Sequence, residues 1–181
     1  MPTVISHAVF GAALYMPFRH RLPRSAALAG AFAAVVPDFD VIGFPLGIDY
    51  ADLLGHRGLT HSIAFAVALG GLGALLLFRT LPQRSRTHLW FYLALATASH
   101  GLFDALTDGG LGVALLAPFS NERFFFPWRP IEVSPIGLSG IVSARGLRVF
   151  ASELIWVGLP ALAVVLGGGL ASRPRRIDST R

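Results

Sequence analysis

Apolar residues run through this chain in long blocks separated by short polar or basic joints. Four blocks approach the ~20 residues needed to cross a bilayer: Ala26–Phe44, Ser62–Phe78, Leu89–Leu106 and Leu154–Ala171. A fifth block, Val4–Phe18, is short and carries His7. No basic residue precedes it, so it does not read as a signal peptide, and it counts as a short first helix. The stretch 107–152 breaks the pattern with Pro118, Pro127, Pro130 and Pro135 and an aromatic run, Phe124-Phe125-Phe126-Pro127-Trp128. It reads as an irregular cap whose aromatic rings rest at the headgroup level. The fold class predicted is all-α, a multi-pass membrane bundle of about five helices with an irregular outer cap. Residues 1–172 form one integral-membrane domain, and 173–181 form a basic, disordered tail on the cytoplasmic side.

Composition sharpens this picture. Hydrophobic residues make up 54% of the chain and charged residues 14%, with a mean hydropathy of +0.62, which argues against a soluble domain. There is no cysteine, so disulfides, thiolate metal sites and cysteine nucleophiles are all excluded. The net charge of +5 comes from arginine alone. A basic balance can signal nucleic acid, but these arginines sit in short clusters beside apolar runs, and no nucleic-acid partner is expected. Three clusters, Arg19–Arg24, Arg79–Arg86 and Arg173–Arg176, should all face the cytoplasm. Five crossings satisfy that rule with the N-terminus outside and the C-terminus inside.

Against so apolar a background, ionisable side chains are costly to keep. Four of the six histidines and three of the seven aspartates nevertheless fall in four tight clusters. These are Ser6-His7, Pro37-Asp38-Phe39-Asp40, the run His56-Arg57-Gly58-Leu59-Thr60-His61-Ser62, and Ser99-His100 with Asp104. Asp38 lies about 18 Å along its helix from the cytoplasmic boundary, and His100 and Asp104 about 17 and 22 Å along theirs. The orientation set by arginine alone therefore puts all four clusters in the outer half of a core about 30 Å thick.

Their chemistry is that of a metal site. His100 and Asp104, four apart, project from one helix face, although a His–Asp hydrogen bond inside a bundle has the same spacing. Pro37 interrupts a helix beside Asp38 and Asp40, whose adjacent carboxylates repel without a cation; a helix-ending turn capped by Asp fits as well. His56 and His61 stand on the arms of a turn, with Thr60 expected to cap the third helix. The candidate ligands are His7, Asp38, His56, His61, His100 and Asp104. Asp40 is expected to support the ligands or act as general base, and Arg57 to hold an anionic group. Glu153 is read as opening the last helix, either as a first-turn acid favoured by the helix dipole or as a late ligand. His20 and His88 lie on the basic side and receive no role. Nitrogen and oxygen donors without sulfur suit Zn²⁺, with Mn²⁺ or Fe²⁺ as alternatives. So many ligands exceed what one zinc takes, so one or two ions are expected.

With these motifs in hand, the chain resembles the YdjM-like family of membrane-bound metal-dependent hydrolases. The likeness runs from Ser6-His7 through Pro37-Asp38-Phe39-Asp40 and His56-Arg57-Gly58-Leu59-Thr60-His61-Ser62 to Ser99-His100 and Asp104, with Pro118-Phe119-Ser120 as a later hallmark. It implies a hydrolase of the bacterial-type cytoplasmic (inner) membrane, with membrane lipids around it and a lipid-like or phosphorylated small molecule as substrate. A more distant likeness is to zinc-dependent phospholipases C, whose order of ligands His7, Asp38, His56 or His61, His100 and Asp104 could follow. Their additional His-x-x-x-Glu pair has no counterpart after Asp104. A metal or proton transporter would use the same intramembrane residues, but it needs polar groups in the inner halves of the helices, and none occur there.

Overall fold

A computed structural model describes residues 1–134 and 143–171. Pro135 and the tail 173–181 lie outside the described residues. The described residues form six α-helices joined by turns and an irregular cap: α1 (Val4–Ala13), α2 (Ala26–Ala33), α3 (Ile63–Leu76), α4 (Gln83–Ala105), α5 (Ala144–Glu153) and α6 (Leu159–Ala171). A single π turn, Leu154–Gly158, joins α5 to α6 in one rod, so the helices form five rods. Among the described residues two helical stretches, Ala26–Leu46 and Ala144–Leu170, are long and apolar enough to cross a membrane, and Val4–Phe18 and Ile63–Leu76 are shorter apolar helices.

Local chemistry explains most boundaries. Thr3, Ser62 and Ser143 each cap a helix, with side-chain oxygens accepting from the backbone N–H of Ser6, Phe65 and Gly146. The cap of α3 is therefore Ser62 and not Thr60, because the Thr60 hydroxyl is drawn away to Asp40, 2.7 Å distant. Pro37 does end the α-helical winding of α2, yet the chain tightens into a 3-10 helix, Val36–Leu46, and continues in the same direction. Gly47, at φ +81°, closes it. The last rod begins at Ala144, ten residues before the expected Leu154, so Glu153 ends α5 in mid-rod instead of opening a helix.

The helices meet through small residues, as membrane bundles do. A Cβ on Gly30 would lie 1.8 Å from the Tyr92 hydroxyl, which donates to the carbonyl of Gly11 at 2.9 Å. This contact knits α1, α2 and α4 around a core that includes Leu14, Leu22, Ala26, Leu89 and Leu93. Large apolar side chains such as Leu28, Leu72, Leu75, Leu162 and Leu166 point outward. Inside, by contrast, lie His7, Asp38, Arg57, His61, His100, Asp104 and Glu153, all buried. This inversion is that of a chain solvated by lipid, with its polar groups turned to the interior.

The cap 107–134 is irregular. Two isolated bridges, Thr107 with Ile131 and Val113 with Phe124, tie it to itself, and the Phe126 N–H donates to the Ala105 carbonyl at the end of α4. Of the aromatic run, Trp128 packs edge-on against Trp156 of the last rod, with ring centroids 4.5 Å apart.

Candidate metal centre

Four separate elements deliver the predicted residues to one point. His7 comes from the second turn of α1, Asp38 and Asp40 from the 3-10 helix after Pro37, His61 from a short 3-10 turn before α3, and His100 and Asp104 from the last turns of α4. Gly101 permits a close approach: a Cβ there would meet the carbonyl oxygen of His61 at 2.5 Å. Without that side chain, the His61 turn settles onto α4 beside His100.

Hydrogen bonds fix the tautomers of two imidazoles. His100 Nδ1 lies 2.7 Å from the carbonyl oxygen of Ala34, which only accepts, so Nδ1 carries the proton and Nε2 a lone pair. His61 Nδ1 lies 3.2 Å from Asp40 Oδ2, whose other partners are the Thr60 hydroxyl and the Arg57 N–H, so Nδ1 donates and Nε2 is again a lone pair. The two Nε2 atoms nevertheless face each other at 3.1 Å. Asp38 Oδ1 stands 3.3 Å from His100 Nε2 and 3.8 Å from His61 Nε2. Asp104 Oδ2 lies 3.6 Å from His61 Nε2, and its Oδ1 is 3.4 Å from His7 Nε2. The His7 ring stacks on that of His100, centroids 3.7 Å apart.

Two imidazoles thus turn lone pairs toward the carboxylates, and His7 Nε2 closes the ring against Asp104 Oδ1. His7 Nε2, both oxygens of Asp38 and Oδ1 of Asp104 are buried without a hydrogen-bond partner, while Asp104 Oδ2 meets only the Arg57 guanidinium. Each orphaned buried group of this kind costs about 1–3 kcal/mol, and more if charged. One proton could satisfy one pair; a divalent cation satisfies them all. Around a tetrahedral zinc with bonds of about 2.0–2.1 Å, neighbouring ligand atoms lie roughly 3.3–3.4 Å apart, close to the spacings here. Charge points the same way: Asp38, Asp40 and Asp104 bring three carboxylates to this buried site, where Arg57 meets Asp104. The chemistry of the donors therefore fits an ion. Three overlapping triads meet the spacing for one: His7, Asp38 and His100; Asp38, His56 and His61; and His61, His100 and Asp104.

The remaining predicted residues surround this ring. His56 Nδ1 is 2.7 Å from Asp40 Oδ1, so Asp40 orients two histidines at once. Arg57 adopts φ +63° and is buried, with Nε 3.0 Å from Asp104 Oδ2 and its terminal nitrogens donating to the Gly109 carbonyl and the Thr107 hydroxyl. Its guanidinium thus faces protein groups, Asp104 among them. Burial lowers the His61 pKa to about 4, with its bond to Asp40 acting in the opposite sense, so the ring is neutral at physiological pH and ready as a ligand. His20 and His88 lie far away among exposed arginines, where His88 pairs with Arg21.

Several contributors went unread in the sequence. Arg123, from the cap, donates to the carbonyls of His56, Tyr50 and Asp52 and so ties the outer loop in place. Its signal was available, as an arginine on the side the charge rule disfavours. Thr60, Thr107 and the Ala34 carbonyl orient charged groups, and nothing in their residue types announces it. Glu153 is neither a first-turn acid nor a member of the ring; its carboxylate accepts from Thr3 and Ser6.

The family described as YdjM inner membrane protein matches residues 1–175. The inner membrane protein YbcI of Escherichia coli (strain K12) is 38% identical over 166 residues, which cover 91% of this chain and 95% of that relative. No solved structure matches, and the likeness to phospholipases C finds no support in these similarities. The chain belongs to the YdjM family and is an inner membrane protein.

Proposed function

We propose that this member of the YdjM family is a membrane-embedded metal-dependent hydrolase, cleaving a phosphoester or related bond in a lipid-like substrate. The observation that carries the reading is the ring of lone pairs and unpartnered carboxylate oxygens from His7, Asp38, His61, His100 and Asp104. These residues would hold one divalent ion, zinc by preference and manganese or iron as alternatives, and His56, grouped with Asp38 and His61, extends the set toward another. Bound there, such an ion supplies Lewis-acid polarisation and activates water at neutral pH.

The protein's own groups do the rest. Asp40 accepts from Thr60 and the Arg57 N–H and holds the Nδ1 protons of His56 and His61, which aims their other nitrogens and raises their basicity. With its acceptor sites filled by these four donors, Asp40 is read as support for the ligands and not as the general base. Arg57 neutralises Asp104 and is the nearest cation for an anionic substrate group, which would exchange with that carboxylate. In the orientation set by the arginine clusters, the site lies in the outer half of the bilayer, where a lipid-like molecule is already concentrated.

Transport of the ion is disfavoured by what lies beneath: Leu14, Leu22, Ala26, Leu89 and Leu93 form an apolar plug toward the basic end of the bundle. The test is a screen of lipid phosphates in detergent, following phosphate release. Metal-dependent release that is abolished by chelator and by His61→Ala supports the reading. Metal-loaded protein that cleaves none of them, yet carries Zn²⁺ across liposomes, overturns it.

A further inference from the structure

Glu153 is buried and lies 150 and 147 residues from Thr3 and Ser6 in sequence, yet it makes three bonds to them at the start of α1. One carboxylate oxygen accepts the backbone N–H of Thr3 at 2.5 Å. The other accepts the hydroxyls of Thr3 and Ser6 at 2.7 and 2.6 Å. Thr3 in turn accepts the His7 N–H through its carbonyl oxygen at 3.3 Å. A continuous relay thus runs from the last rod, through the cap of α1, to the backbone of a ring histidine. The carboxylate also stands at the positive end of the α1 dipole, where a negative charge is favoured.

The π turn that follows serves the same contact. Val149, Glu153, Val157 and Ala161 are all buried at a spacing of four residues. In a regular α-helix that spacing drifts around the axis; a π turn winds more residues per turn and takes up the drift. The extra width at Leu154–Gly158 therefore lets Glu153 and the apolar residues after it face α1 together.

We infer that Glu153 is a positioning residue for the metal centre: it fixes the height and rotation of α1, and through them the approach of His7 Nε2 to Asp104 and His100. This rests on the metal-centre reading above. Glu153 touches no ring atom, so its effect passes through the start of α1 and the histidine that α1 carries.

The test is a double-mutant cycle on metal affinity, titrating Zn²⁺ into chelator-stripped full-length protein in detergent. Glu153→Gln should weaken binding roughly tenfold, the lower range for losing support behind a ligand. In a His7→Ala background the same change should have no further effect. Ser6→Ala, which keeps the carboxylate, should give a smaller loss with the same dependence on His7, and it decides the matter if Glu153→Gln does not fold. Equal losses in both backgrounds, or none in either, would show Glu153 to be a packing residue only and overturn the inference alone. A wild-type protein that binds no Zn²⁺ refutes the metal centre itself.

Discussion

Asp38→Asn separates a metal centre from an ordinary buried polar network, because the two predict opposite signs. Asp38 touches no arginine; its nearest polar atoms are the Nε2 lone pairs of His100 and His61, at 3.3 and 3.8 Å. Without an ion, its carboxylate either shares one proton with His100 Nε2 or stands as a buried charge facing acceptors, which costs several kcal/mol. An asparagine of the same shape donates an N–H to either imidazole and removes the charge. Metal-free Asp38→Asn should therefore melt no lower than metal-free wild type, and the relief of charge favours a higher melting point. With metal the order reverses. Losing even a partner behind a ligand costs about 10–100-fold in affinity, so losing a ligand should cost at least about 1.4–2.7 kcal/mol of ligand-linked stability. For a chain of this size that is a fall of roughly 3–10 °C relative to metal-loaded wild type. The assay is thermal unfolding in mild detergent with chelator and with added Zn²⁺. If Asp38→Asn destabilises equally in both conditions, Asp38 is a partner in a proton-satisfied network and the reasoning fails.

Asp104→Ala should lower bound metal and also destabilise the metal-free protein by about 3–5 kcal/mol, because it strands the buried Arg57 guanidinium; metal analysis and melting curves read the two effects separately. His88→Ala, on the exposed basic side, should leave metal content unchanged. The His61 pKa is held near 4 when folded against an ordinary 6.5, so protons bind the unfolded chain first. Metal-free protein should hold its melting point above pH 6.5 and lose stability as pH falls toward 4, with His61→Gln flattening that slope. Reporter fusions after Arg86 should report cytoplasm and one near Asp49 the exterior; a cytoplasmic signal near Asp49 would reverse the orientation.

The apolar blocks made the five rods legible, because burial in lipid leaves an uninterrupted hydrophobic signature. Boundaries were less so. The last rod begins at Ala144 because Ser143 caps it, although the polar face of α5, with Arg145 and Arg148, looks unlike a membrane helix. Pro37 announced a break, but no residue type distinguishes a turn from the 3-10 continuation observed. All six proposed ligands fall within the overlapping triads, since an ionisable group amid apolar sequence needs a partner and the partners were the other clusters. What stayed hidden were the groups that orient them. Thr60, Thr107, the Ala34 carbonyl and Arg123 act through tertiary hydrogen bonds that carry no local pattern. Glu153 was visible as a charge, but its pairing with Thr3 depends on helix packing across the whole chain.

The central claim is that a cation occupies the ring formed by His7, Asp38, His61, His100 and Asp104. Elemental analysis of full-length protein purified in mild detergent, beside His100→Ala purified in the same way, tests it most directly. The account predicts at least one tightly held zinc, manganese or iron per chain in the wild type, removed by strong chelator, and a marked loss in the variant. Wild-type protein that is folded and free of metal, or that carries the same metal as His100→Ala, would contradict it.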